Sequence, residues 1–288
     1  KDSDSPARDV ELGDVDCSKS NDFGLDDWLA LARDLRDAGK TVVLATQPLV
    51  MSEAELRTLR RIGDQDEFAV EAGDAGALRV LARAHAARPQ RRPFTLGPHV
   101  NIYNRSALAE FAPLGAGRWV APLELAIDAI ARINPPADRV CGPAGPLVTE
   151  VFGFGRMPLA FSARCFTARH HRLSKDACEF RCRDDADGLL LRTGDHQPFL
   201  VLNGIQTQSA ALHCLIDQAD TLRAAGVASV RLSPCSRNFV RVLRLFDAAY
   251  NHGMPAGAAR SELDGLDLPG TLVGGFAYRR PGMEAIAA

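Results

Sequence analysis

The chain has 288 residues, 46% of them hydrophobic and 24% charged, with a formal net charge of −2. That length accommodates one large domain or two small ones, and the composition is that of an ordinary globular protein. A balanced charge gives no reason to expect nucleic acid, whose binding needs clustered Lys and Arg, and no apolar run is long enough for a membrane-spanning helix of about 18–20 residues.

The opening Lys1-Asp2-Ser3-Asp4-Ser5 is unlike a secretory signal. Seven Cys is an odd number for a secreted disulfide framework, so reduced thiols in a cytoplasmic protein are expected, some serving as ligands.

In chain order, the first strand-like run is Val10-Glu11-Leu12, shortly before Cys17. Apolar residues at helical spacing follow at Trp28, Leu29, Leu31, Ala32 and Leu35. Strands are expected over residues 41–46, 68–70, 118–121, 147–151, 199–202 and 229–232, all rich in β-branched and apolar side chains. Helices are expected around Leu78 to Ala84, Leu123 to Ile130 and Val240 to Phe246. Arg79, Arg83, Arg88, Arg91 and Arg92 fall close together, and their Ala-rich spacing reads as a solvated helix face running into a Pro-marked loop. Hydrophobic strands each followed by a helix imply a parallel sheet covered by helices. The expected fold is α/β: a single TIM-like (β/α) barrel domain over 1–288, with a Cys-rich insertion at 163–198.

In such barrels chemistry sits at the C-terminal ends of strands. The polar residues expected there are Glu71, Asn101, Tyr103, Asn104, Glu124 and Asn203, each of which a capping or loop role would also explain. The insertion is polar and carries Cys165, Cys178, Cys182, His170 and His171, and segments of that length are commonly functional or disordered.

Cys165 and Cys178 are separated by twelve residues, Cys178 and Cys182 by three. Cys17 follows a different strand, and loops after different barrel strands gather at one face, so the four thiols can converge. Four converging thiolates repel unless a cation holds them, which zinc or an iron–sulfur cluster would do. Structural zinc sites pair their ligands in tight knuckles twice over, and only Cys178 and Cys182 are close here. Spacing thus favours iron–sulfur and leaves zinc, or no metal, open. His170 and His171 read as solvated loop residues, the other reading being competition with Cys17 for a fourth position. Cys141, Cys214 and Cys235 stand singly and read as incidental thiols. Neither a Gly-rich phosphate loop, nor His-Glu-x-x-His, nor a nucleophile elbow is present.

The stretches at 157–169, 175–182, 199–209 and 230–234, with Leu12-Gly13-Asp14-Val15-Asp16-Cys17-Ser18-Lys19 upstream, resemble the UbiV family of the collagenase-like peptidase U superfamily. The resemblance runs from about residue 10 to the C-terminal region. It implies a [4Fe–4S] cluster on the matching Cys17, Cys165, Cys178 and Cys182. It also implies a heterodimer with a UbiU-like sister subunit, assisted by a UbiT-like lipid carrier. The implied activity is oxygen-independent hydroxylation of a ubiquinone precursor, with prephenate as an oxygen donor and no peptidase chemistry. Catalytic residues stay unassigned. Related members hydroxylate RNA, and that activity and a zinc-stabilised scaffold are the alternative expectations. The chain departs from the family at Asp14, where Glu is usual, and at Ser20, where Arg is usual. Family members begin earlier, with a further strand and helix, so a barrel lacking its first strand is expected. An insertion at 141–146 lengthens a surface loop.

Overall fold

The computed structural model describes residues 5–13, 17 and 23–285. It divides into two compact units, Lys1–Phe152 with Asp220–Val230, and Gly153–Ala219 with Arg231–Ala288. The departures at Asp14 and Ser20 lie outside the described residues.

Unit 1 begins with strand β1 (Asp9–Leu12), helix α1 (Leu25–Asp37), β2 (Thr41–Ala45), α2 (Glu53–Asp64), β3 (Ala69–Ala72) and α3 (Ala75–Ala87). It continues with β4 (Phe94–Leu96), α4 (Arg105–Phe111), β5 (Ala116–Val120), α5 (Ile127–Ile133) and a small hairpin of β6 (Cys141–Gly142) and β7 (Gly145–Pro146). Strand β8 (Val148–Phe161) starts here, and its Val148, Thr149 and Glu150 lie beside β5. The order β1-β2-β3-β4-β5-β8 is parallel throughout. This mixed α/β arrangement, strand after strand followed by a helix, is compatible with the barrel-like fold expected from the sequence.

Helix starts follow local chemistry. Ser52 and Glu55 form a reciprocal capping box at α2: the Ser52 Oγ accepts the Glu55 N–H at 3.2 Å, and the Glu55 carboxylate accepts the Ser52 N–H at 2.9 Å. Asp74 caps α3 by accepting the Ala77 N–H at 2.6 Å. One sheet face is apolar: Val10, Leu12, Val42 and Leu44 pack on α1 through Trp28, Leu29, Leu31, Ala32 and Leu35. The strand register puts Asp9, Glu11, Glu71, Thr95, Arg118 and Glu150 on the other face.

That polar face is concave. In a flat sheet β1 and β5, four strands apart, would stand about 19 Å from each other. Yet the Arg118 guanidinium reaches the Asp9 carboxylate at 2.8 Å, which requires the sheet to curl around its charged side.

Unit 2 is built differently. Beyond β8 come α6 (Phe166–His170), β9 (Leu189–Arg192), β10 (Pro198–Asn203) and β11 (Gln206–Cys214). Helix α7 (Ala219–Ala224) and strand β12 (Val227–Leu232) straddle the division, and α8 (Phe239–Asn251), α9 (Ala256–Asp264) and β13 (Leu272–Val273) close the unit. Here β8, β11, β10 and β9 are antiparallel neighbours, while β13 runs parallel to β11. The parallel, helix-followed strand expected at 199–202 is therefore corrected. A tight turn joins β10 to β11, with Asn203 paired to Gln206 and Gly204 at φ +60°. So short a link permits only antiparallel return. The expected strand at 147–151 is longer too, running to Phe161.

Candidate functional site

Two groups of polar residues stand out, one in each unit. In unit 2 the segment from Cys165 to Asp187 is built of turns. Cys165 caps α6, and its Sγ accepts the Ala168 N–H at 3.4 Å. Cys178 ends a 3-10 turn over Lys175–Ala177, and Cys182 lies inside a second one over Arg181–Arg183. All three thiols are half-buried and reduced. Helix α6 packs against β10 and against the turn carrying Cys182.

Both ends of the segment are tied down. At the Cys165 end, the Thr167 Oγ1 accepts the Gly204 N–H at 3.0 Å, the Phe166 N–H donates to the Gly204 carbonyl at 3.0 Å, and the Ser162 N–H donates to Ile205 at 2.9 Å. The β10–β11 turn is thus the seat of Cys165. At the far end the Asp187 carboxylate accepts the Ser236 backbone N–H at 2.8 Å and also its hydroxyl. Between these anchors Arg172, Glu179 and Phe180 hold left-handed backbone angles of 59°, 52° and 54°. Non-glycine residues adopt such angles at a cost of about 1 kcal/mol or more, and keep them where surroundings enforce them. From 164 to 187 the segment carries Arg164, Arg169, Arg172, Lys175, Arg181 and Arg183 against Asp176, Glu179, Asp184, Asp185 and Asp187.

Cys17 is half-buried in the loop after β1, where the sequence places it, and belongs to unit 1. Among the described residues no three His, Cys, Asp or Glu side chains are gathered closely enough to hold a metal ion. The donors are of the kind an iron–sulfur group takes: soft thiols, partly shielded, one of them with an N–H already aimed at its sulfur. His170 and His171 are exposed and meet edge-on, ring centroids 5.1 Å apart. Cys141 is exposed, whereas burial pushes the Cys214 thiol up to about 12. Cys235 is half-buried, its thiol raised by burial, and its Sγ donates to the Arg237 carbonyl at 3.2 Å.

In unit 1, Arg118 organises the concave face. Its guanidinium bonds Glu150 at 2.6 Å and Asp9 at 2.8 Å, and the Ser229 hydroxyl donates to the same Glu150 at 2.9 Å. Burial opposes the charge on Arg118, but Glu150 and Asp9 together outweigh it and hold the guanidinium above its ordinary range. Position-by-position reading of apolar runs passed over Arg118, Glu150 and Ser229. The available signal was charge on one side of otherwise apolar strands, alternating in Asp9-Val10-Glu11-Leu12 and single in Arg118-Trp119-Val120.

The polar residues expected at strand ends divide. Glu71 is buried at the end of β3, and its carboxylate lies over Gly97, where a Cβ would come within 2.8 Å of Oε1. Tyr103, in the loop after β4, donates its phenolic O–H to Glu124, in the loop after β5. Burial first, and then that hydrogen bond, push Tyr103 up to about 12. Asn104 has a capping role, its Oδ1 accepting the Ala107 N–H at 2.8 Å at the start of α4. Asn101 is left-handed after the turn Pro98–Val100, and Asn203 ends β10 in the other unit.

Residues 15–263 match the family model described as Peptidase family U32. A collagenase of Porphyromonas gingivalis (strain ATCC BAA-308 / W83) is 26% identical over 178 residues, covering 57% of this chain and 40% of that protein. The chain thus spans well under half the length of this curated relative. No solved structure matches.

Proposed function

We propose that this chain, which belongs to peptidase family U32, is the iron–sulfur subunit of an oxygen-independent hydroxylation system for a ubiquinone precursor. In this reading it pairs with a UbiU-like sister subunit, a UbiT-like carrier presents the lipid, and prephenate supplies oxygen. Cys17, Cys165, Cys178 and Cys182 are its ligands to a [4Fe–4S] cluster. One observation carries the reading. Three half-buried thiols share one turn-built segment that is anchored at both ends.

When bound, such a cluster supplies one-electron transfer. The chain's own residues do the rest. Thr167 and Gly204 fix Cys165, the Ala168 N–H stabilises charge on its sulfur, and Asp187 closes the far end of the loop. Because metal binding and local folding share one free energy, convergence of the thiols would have to accompany assembly of the group. Four Cys ligands would leave such a group no open position for substrate, so electron transfer or the organising of a site is physically easier for this subunit than direct oxygen insertion.

The test is anaerobic purification followed by iron, sulfide and zinc analysis and a visible spectrum. Iron and sulfide in near-equal amounts with a brown charge-transfer band are expected, and Cys165→Ala should lose most of both. A colourless protein containing zinc overturns the cluster, and RNA binding at physiological salt points to the RNA-hydroxylating branch. Co-expression with the sister subunit, scored for quinone made without oxygen, tests the pathway.

A further inference from the structure

We infer that the mouth of unit 1, where its strands end and its helices begin, docks a basic protein partner that presents Lys and Arg around an apolar centre. Parallel strands send every strand-to-helix loop to one end of the sheet. At that end Phe23 in the loop after β1, Met51 in the loop after β2 and Tyr103 in the loop after β4 are 43%, 37% and 42% exposed. Among the described residues of unit 1 only one other large hydrophobic side chain is exposed, Leu114, which precedes β5 at the opposite end. Phe23 packs against Trp28 with ring centroids 5.0 Å apart, and the Tyr103 phenol donates to Glu124 in the neighbouring loop.

These side chains lie within reach of one partner. Strands β1 to β5 are neighbours in chain order, and at about 4.8 Å per step the ends of β1 and β4 stand about 14 Å apart along the sheet. A standard interface covers about 800 Å² on each partner, a patch roughly 30 Å across. Aromatic and Met side chains are the ones that such interfaces favour.

Charge decides what kind of partner covers this end. The strand-to-helix loops 13–24, 46–52, 73–74, 97–104 and 121–126 contain Asp14, Asp16, Asp22, Asp74 and Glu124 against Lys19 alone, a net of −4. The first turns of α1, α2, α4 and α5 add Asp26, Asp27, Glu53, Glu55 and Asp128 against Arg105. Arg61 meets Asp26 and Arg132 meets Asp128, and with both of these arginines counted the end stays negative. The helix-to-strand links before β2, β3, β4 and β5, at 38–40, 65–68, 88–93 and 112–115, contain Lys40, Arg88, Arg91 and Arg92 against Asp66 and Glu67, a net of +2. A surface that joins exposed apolar side chains to negative charge matches a partner that is apolar and cationic. Nucleic acid and anionic membranes carry the wrong sign. A second copy set mouth to mouth would oppose like charges.

The experiment is fluorescence anisotropy of a short fluorescein-labelled peptide of alternating Lys and Leu, titrated with the full chain under reducing conditions. Binding should weaken by about tenfold from low to physiological salt, and a peptide of alternating Glu and Leu should not bind. Met51→Ser/Glu124→Lys, which alters the loops after β2 and β5, should weaken binding by about tenfold or more. Glu110→Lys/Leu114→Ser makes the same kind of change at the far end of α4 and the link after it, and should keep binding within about twofold of wild type. Equal loss in the two variants, no loss in the first, or equal binding of the Glu and Leu peptide overturns the inference. Should the first variant fail to fold, Glu124→Gln decides, with a loss of about threefold expected and no loss overturning it. An RNA oligonucleotide or anionic vesicles that bind and are released by Met51→Ser/Glu124→Lys also overturn it. So does sedimentation of the wild-type chain as a dimer that this variant dissociates, which makes a second copy the occupant.

Discussion

Strands β1 to β5 of unit 1 lie side by side in chain order, each followed by a helix, whereas unit 2 folds back on itself through the turn at Gly204 and pairs β8, β11, β10 and β9 antiparallel. In unit 1 charged side chains of β1, β3, β5 and β8 share one face of the sheet, where Arg118 links β1, β5 and β8, and Ser229 of β12 joins at Glu150. In unit 2 Thr167 and Asp187 hold the two ends of a loop. The first arrangement spreads its polar contacts over a sheet. The second ties one loop at two points, so damage there should stay local.

Stability measurements can break that comparison. The largest effect is expected at Arg118. Arg118→Met leaves Glu150, only 7% exposed, buried without its cation, and should cost about 3 kcal/mol by denaturant unfolding. Adding Glu150→Gln should restore part of that loss, because the orphaned charge is gone. If Arg118→Met is neutral, the concave network does not hold unit 1 together.

A smaller loss is expected in unit 2. Thr167→Val removes the acceptor of the buried Gly204 N–H, at about 2 kcal/mol. Hydrogen exchange should quicken around α6 and the β10–β11 turn while amides of β2 to β4 keep their protection. Exchange that quickens equally throughout both units would show that the anchor is not local.

The smallest effect is electrostatic. Tyr103 and Tyr278, one in each unit, are both pushed up to about 12, from an ordinary value of 10, chiefly by burial. A raised phenol favours its neutral form in the folded state. Its contribution is therefore complete below pH 10 and disappears as pH climbs through about 12. Absorbance titration should show both phenols ionising late, and Tyr103→Phe should remove one of these late transitions. Glu124→Gln should lower Tyr103, where a carboxylate accepts the phenol, and leave Tyr278 unmoved. An early titration of Tyr103 would deny the Glu124 contact.

Much of unit 1 was legible from residue order because its signals are local. The strand at β2, the apolar spacing of α1 and α3, and the placement of Cys17 after β1 all follow from patterns a few residues long. Helix α2 was missed even though Ser52 and Glu55 spell a capping box, since its apolar stripe is thin: Leu56, Leu59 and Ile62 stand among three arginines. Strand β4 is three residues long, below the length at which alternation can be read. In unit 2, β11 was missed because Gln206-Thr207-Gln208-Ser209-Ala210 is polar or small, and its strand form comes from pairing with β8 and β10 on either side.

From residue order alone came the β/α alternation of the first half, the family resemblance and the four sulfurs proposed as ligands. These rest on side-chain periodicity and residue identity, which need no partner to be recognised. Tertiary structure alone decided that β10 and β11 run antiparallel, that the charged side of the first sheet is concave, and that Arg118 meets Asp9 across four strands. Those outcomes depend on which distant segments touch, and the energy of a buried ion pair or a cross-strand ladder exists only once they do.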